Sequence, residues 1–477
     1  MASFRSLRGC AAFAVVCASA LVAVGATGET PIASAQVASL ASGGEYHPVT
    51  PTRIFDTRLG LNDTAPLGPK PANATGQSFS FDALGQGGIP GEVAGANRDV
   101  LAVVLNVTVD NPSRAGYLSI APAGSAAGTS SLVNFNAGEN VPNLAVVGAG
   151  TNGAVSVTIV MPEGAGTANV IVDVFGWIAK SDYPDTDDSG ARFKPVGPGR
   201  ILDTRSGPVP AGWAGGTPLS PDGRLTLPIR GADAVLPSVP DIVPNDPTVT
   251  GVMVNITAVA QTQNTFVSAT PGDVPGGTLP TTSNTNLSRG QVKANMAIVP
   301  VGADGNIRLY NAYGNTHLIV DVLGYLYRGA DAATTTGRVV PLDAPFRVFD
   351  TRQPEFGAAP LGFATSESWS FADFTDSVQL GGVPLGAQTG FIGNLTGTGL
   401  TRLPGFSQPV TTYMTMYPGG TASPPESSNI NLVEGQTVPN MSLLRYGPAG
   451  ADDNVIQAYN FNGSVHYLLD VYAVILA

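Results

Sequence analysis

Cysteine is nearly absent. The two that occur, Cys10 and Cys17, both lie in the first twenty residues. Disulfides therefore cannot staple the rest of the chain, and its stability must come from packed cores. The three histidines, His47, His317 and His466, are scattered, so no zinc spacing can be built from them. Without a later cysteine or a histidine repeated in every copy, Cys-His or Ser-His-Asp catalysis has little to start from. No Gly-rich loop follows a strand and opens a helix, which removes the usual phosphate cradle.

Charge is also scarce, at 12% of residues, and it is acidic on balance. A basic footprint is missing, so nucleic acid is excluded as a partner, and so is peripheral binding to anionic lipid. The longest apolar run, Ala11 to Val24, is too short to span a membrane comfortably. It follows Arg5 and Arg8 and precedes the small-residue site Ala33-Ser34-Ala35, the pattern of a secretory signal peptide over residues 1–35. A cut after Ala26 is the alternative. Val16 before Cys17 does not suit a lipoprotein site. "LPTTS" at Leu279 to Ser283 is internal and lacks the features of a sorting signal. Cleavage after Ala35 leaves 21 basic and 34 acidic residues, a net charge of −13.

Glycine and proline are plentiful, 59 and 39, and no long segment has a helical period. That composition suits many strands joined by turns. "LAVVLNVTV" (Leu101 to Val109) alternates, with Leu101, Val103, Leu105, Val107 and Val109 on one face. "SFSF" (Ser78 to Phe81), "RLTL" (Arg224 to Leu227) and "SWSF" (Ser368 to Phe371) keep one apolar phase while side-chain size varies.

One hexapeptide pattern, Arg-x-x-Asp-Thr-Arg, occurs at Arg53 to Arg58, Arg200 to Arg205 and Arg347 to Arg352. Its aspartates Asp56, Asp203 and Asp350 are separated by two equal steps of 147 residues. Such a period is the size of a domain, not of a solenoid unit. Each repeat also carries an Asn-x-Thr strand (Asn106, Asn255, Asn394), an asparagine-bracketed turn, and a closing strand with Asp173, Asp321 or Asp470. The expectation is an all-β chain of three tandem antiparallel β-sandwich domains, with jelly-roll connections as an option. A tail over 36–44 leads into repeat 1 (45–179), a linker (180–191), repeat 2 (192–328), a second linker (329–337) and repeat 3 (338–477). Three such units can hang as a string or close into a compact pseudo-threefold cluster. Equal steps and apolar outer positions favour the cluster.

An aspartate inside an apolar closing strand needs a partner. Strand alternation puts Asp56 and Arg58 on one face, which pairs Arg58 with Asp173, Arg205 with Asp321 and Arg352 with Asp470 as ties between first and last strands. The motif residues Arg53, Asp56, Arg200, Asp203, Arg347 and Asp350 are then the framework of that joint. The competing reading makes Asp56 and Asp173 the carboxylates of a glycosidase, but neighbouring arginines oppose the raised pKa its acid would need. Asn134, Asn143, Asn286, Asn295, Asn431 and Asn440 suit turn stabilisation, or contact with sugar hydroxyls. "DTDDSG" (Asp185 to Gly190) opens like a calcium loop, yet its twelfth position is Val196, so no metal or cofactor is expected.

The set "PxRxxDTR … LNVT … SNxNxxxGQxVxN … VDVxGY" resembles a repeat of exported proteins from actinobacteria and related soil bacteria, found in tandem or appended to secreted hydrolases. The resemblance spans nearly all of the chain after residue 35. It implies an extracellular accessory or surface β-module and gives no catalytic residue to carry over. Repeat 3 departs from it, with Ala473 where Gly176 and Gly324 stand and with added residues over Thr401 to Gly420. The function expected is a non-catalytic secreted or cell-surface protein that binds a cell-wall or other extracellular glycan. A self-assembling envelope component and an unrecognised hydrolase are the alternatives.

Overall fold

A computed structural model describes residues 3–5 and 42–477, apart from 63–67, 92–98, 126–129, 187, 281, 330–332, 374–379, 406 and 449–453. Most of the expected signal peptide and tail lies outside the described residues.

In repeat 1 the strands Tyr46–Asp56, Gly166–Ala179, Val100–Asp110 and Asn140–Gly148 lie side by side in that order, all antiparallel. Repeat 2 sets out Arg192–Asp203, His317–Tyr327, Val249–Val259 and Lys293–Pro300 in the same way. Repeat 3 uses Val339–Asp350, Ser464–Leu476, Gln388–Thr401 and Val438–Arg445. Each repeat adds a sheet of shorter strands. In repeat 2 these are Gly223–Pro228, Asn306–Asn311, Thr265–Pro271 and Thr285–Leu287. Among the described residues only repeat 2 inserts a hairpin, Ala232–Val235 with Ser238–Val243, and Ser3–Arg5 pairs in parallel with Thr365–Ser370.

The expectation of three tandem β-sandwich domains is corrected here. The chain is all-β, but apart from the two-stranded hairpin its six sheets are laid out as a six-bladed arrangement of the β-propeller kind. Nor does each repeat keep its core to itself. The largest apolar cluster joins repeat 1 to Met253, Met296, Ile298 and Leu323 of repeat 2 and to Ile392, Met441, Leu443 and Tyr472 of repeat 3. Alternation explains how one strand serves two cores. Ala297 and Val299 pack within repeat 2, while Met296 and Ile298 between them face the shared cluster. A strand buried on both faces reads as a continuous apolar run, as "MAIV" does. Approach between repeats is close enough that a Cβ on Gly324 would come within 2.6 Å of Leu443 Cδ2.

The starts of the three repeats are knitted together as well. Tyr46 and Ala191 exchange both backbone hydrogen bonds, as do Gly44 and Val339, and Phe193 N donates to Gly337 O. Glu45, Arg192 and Arg338 hold nearly equivalent positions in the three repeats. Arg192 Nε donates to Glu45 Oε1 at 2.9 Å, and Arg338 Nε lies 3.7 Å from the same oxygen.

Candidate functional site: the joints between repeats

The repeated motif sits where the opening strand meets the closing strand. Backbone register there shows one extra residue per repeat: Ile54, Ile201 and Val348 have no partner. This is a β-bulge. Arg53 therefore stands opposite Asp173, and Asp56 stands opposite Ile171, two residues away on the same face. An i, i+3 spacing that plain alternation would split across the sheet is brought to one side.

This overturns the expected ion pairs. Arg53 Nε donates to Asp173 Oδ1 at 3.0 Å, Arg200 to Asp321 at 2.9 Å and Arg347 to Asp470 at 2.8 Å. The last arginine of each motif instead holds the motif's own aspartate. Arg58 grips Asp56 through Nε at 3.0 Å and Nη2 at 2.8 Å, while its backbone N–H also donates to Oδ1. Arg205 and Asp203 repeat that geometry, as do Arg352 and Asp350. The central threonine locks the corner. Thr204 N donates to Leu318 O, and Leu318 N donates to Thr204 Oγ1. His317 and His466 sit beside Thr204 and Thr351, with Asn169 beside Thr57 in repeat 1.

The two aspartates of each joint titrate apart. Burial works to raise Asp56, Asp203 and Asp350, but hydrogen bonds from Arg58, Arg205 and Arg352 outweigh it and hold these carboxyls below the usual range. For Asp173, Asp321 and Asp470 burial wins over the paired arginine and pushes the pKa up. Asp321 and Asp470 are wholly buried.

A transverse row continues from each pair. Arg53, Asp173, Asn106 and Leu144 are successive register partners across repeat 1. Arg200, Asp321, Asn255 and Met296 form the row in repeat 2, and Arg347, Asp470, Asn394 and Met441 in repeat 3. Each row docks on the Ser-x-x-Asn segment of another repeat. Asn106 Nδ2 donates to Ser283 O, Asn255 Nδ2 to Ser428 O, and Asn394 Nδ2 to Ser131 O. Repeat 1 thus contacts repeat 2, repeat 2 contacts repeat 3, and repeat 3 returns to repeat 1. The ring is closed.

The asparagines divide into two sets, and one departs from expectation. Asn134, Asn286 and Asn431 lie in short strands and donate to Ser131, Ser283 and Ser428 Oγ at 3.1–3.2 Å. Asn143, Asn295 and Asn440 are buried, and each donates through Nδ2 to a backbone carbonyl of its own repeat, Leu132 O, Asn284 O and Asn429 O. Asn143 Nδ2 donates to Asn394 Oδ1 at 3.0 Å while its own Oδ1 accepts from Met441 N. Asn440 does the same with Asn255 and Met296 N. Asn106, Asn255 and Asn394, which match a glycosylation sequon, are likewise buried.

At the joint of repeats 1 and 2 a crevice of about 190 Å3 opens, lined among others by Arg53, Asp173, Asn140, Phe266, Ser283 and Asn286. Nothing in the sequence flags it, because its walls come from two repeats, residues between Arg53 and Asp173 on one side and between Phe266 and Asn286 on the other. Beyond it, the short sheets carry aromatic clusters. Phe266 lies 6.2 Å from the exposed Tyr313, and Tyr413 stacks on the exposed Phe461 at 4.9 Å. Among the described residues no group of three His, Cys, Asp or Glu side chains could hold a metal, and no helix is long and apolar enough to cross a membrane. The Asp185 carboxylate instead accepts from Ser189 and Gly190 N–H.

No family model matches the chain, and no curated protein matches it. Among solved structures it is similar to an archaeal virus protein described under a triple jelly-roll fold and turret assembly (10% identity, 91% of this chain and 90% of that one, TM-score 0.16). It is also similar to a protein of Sulfolobus turreted icosahedral virus (8%, 91% and 99%, 0.18). A third is the tandem CBM22-1-CBM22-2 domain of Paenibacillus barcinonensis Xyn10C (11%, 59% and 99%, 0.16).

Proposed function

We propose that the chain is a non-catalytic, secreted or cell-surface protein that binds an extracellular glycan. The observation that carries this reading is the pair of aromatic clusters on the short sheets. Tyr313 is 57% exposed and Phe461 47%, and each flanks a half-buried ring, Phe266 or Tyr413. Flat aromatic faces that keep a polar neighbour suit the apolar face and hydroxyl rim of a sugar ring. Arg224 lies over Tyr310, and the Tyr310 hydroxyl donates to Asp222 at 2.7 Å, which sets polar groups beside the repeat 2 cluster.

A hydrolytic role fits less well. Asp56, Asp203 and Asp350 are each held ionised by an arginine, and Asp173, Asp321 and Asp470 are each engaged by another. Against expectation, burial raises the pKa of Asp173, Asp321 and Asp470 despite their arginines, which favours a proton, but these carboxyls are at most 2% exposed and a general acid also needs an open approach to substrate. The test is a glycan array probed with residues 36–477. Binding to a defined glycan class that falls at least tenfold in Tyr413→Ala/Phe461→Ala or Tyr313→Ala supports the reading. Absence of binding across the array, or release of reducing sugar from any glycan, rejects it.

A further inference from the structure

The crevice between repeats 1 and 2 has features that the aromatic clusters lack. It is concave, it lies at the junction of two repeats, and its lining combines one aromatic ring with several fixed polar groups. We infer that it is a subsite for a single neutral sugar unit. The inference rests on the glycan-binding reading and places one point of contact within it.

The charges decide the ligand class. Arg53 and Arg58 reach the crevice, but both already bond carboxylates: Arg53 bonds Asp173 and Asp56, and Arg58 bonds Asp56 and Asp110. Three aspartates against two arginines leave no surplus cation for a phosphate, sulfate or acidic sugar. The same carboxylates are occupied by guanidinium groups, which disfavours a metal ion. An uncharged polyhydroxyl ligand remains. Asn140 donates to Asp110 Oδ1 at 3.0 Å and Asn286 to Ser283 Oγ at 3.1 Å, so both side chains are held before any ligand arrives. Phe266 lines the crevice and belongs to the repeat 2 aromatic cluster, so the crevice opens beside that surface.

The other two joints repeat the elements but differ in openness. Arg200 at the joint of repeats 2 and 3 donates to Glu426 O and is almost fully buried. Arg53, whose side chain is 31% exposed, is far more open. The subsite is therefore assigned to the first joint and not to the second; at the third, Arg347 keeps a side chain 23% exposed.

The experiment is saturation-transfer NMR on residues 36–477 with glucose, galactose, mannose and N-acetylglucosamine as separate probes, and with sodium sulfate as competitor. At least one sugar should show transfer that drops fivefold or more in Phe266→Ala, in Asn286→Ala and in the crevice-filling Thr282→Trp, with melting temperatures unchanged. Val239→Ala, an exposed position outside the crevice and both aromatic clusters, should leave that signal intact. Sugar binding lost in Tyr413→Ala/Phe461→Ala but not in the three crevice variants would overturn the subsite and leave the glycan reading standing. Absence of transfer from any sugar, with the array also blank, would remove both. Displacement by sulfate would overturn the neutral-ligand assignment.

Discussion

Asn440 Nδ2 donates to Asn255 Oδ1 at 2.9 Å across 185 residues of chain, and Asn440 Oδ1 accepts from Met296 N. One side chain of repeat 3 thus satisfies a side chain and a backbone amide of repeat 2. Asn143 of repeat 1 makes the same two bonds to repeat 3. Each of these amides also donates to a carbonyl of its own repeat, Leu132 O or Asn429 O, so one buried side chain ties two repeats together and separating them leaves it only half satisfied.

Replacing Asn394 tests this dependence. It is buried, accepts from the buried Asn143 and donates to the half-buried Ser131 O. Asn394→Leu should cost about 2–4 kcal/mol in urea unfolding, because it strands two partner groups at about 1–3 kcal/mol each before the gain from an apolar side chain. Asn431→Ala, at a half-buried strand position, should cost less than about 1 kcal/mol.

Coupling energies separate the observed ion pairs from the expected ones. Asp321→Ala leaves Arg200 buried without its partner and should cost about 3–5 kcal/mol. A double-mutant cycle between Arg200 and Asp321 should give more than about 1 kcal/mol, while one between Arg205 and Asp321 should stay near zero. Equal coupling in both cycles would mean that the bulge at Ile201 does not set the face.

That bulge marks the boundary of what the residues alone disclose. Alternation placed the strands and their apolar faces, but it did not disclose burial on both faces. It also predicted Arg58 with Asp173, which requires an unbroken two-residue period from Arg53 to Arg58. One unpaired residue, Ile54, inverts the faces, and nothing about an isoleucine in a strand signals a bulge. The roles of Asn143 and Asn440 were hidden for another reason. Beside a carbonyl of their own repeat they bond a second repeat, and local turn chemistry offered a sufficient account of an asparagine near glycine.

Lys293 supplies a pH test. Repeats 1 and 3 hold Val141 and Val438 at the matching place, whereas Lys293 is buried, and burial lowers its pKa to about 8 despite Glu139 nearby. The unfolded chain binds this proton up to about pH 10.4. Between these values the unfolded state holds more protons, so stability must rise with pH. The gain should be about 2 kcal/mol between pH 7 and 9.5. Higher pH is less clean, since the buried Tyr46, Tyr446 and Tyr472, whose pKa values burial raises, resist ionisation only in the folded state. Lys293→Val should abolish the rise and stabilise the protein at pH 7.

Scanning calorimetry of residues 36–477 tests the closed ring most directly. Shared core and cyclic joints require one transition, with a calorimetric enthalpy equal to the van 't Hoff enthalpy, and residues 192–328 alone should show no cooperative melt. Three separable transitions in the intact chain, each reproduced by one repeat in isolation, would contradict the ring and restore three independent domains.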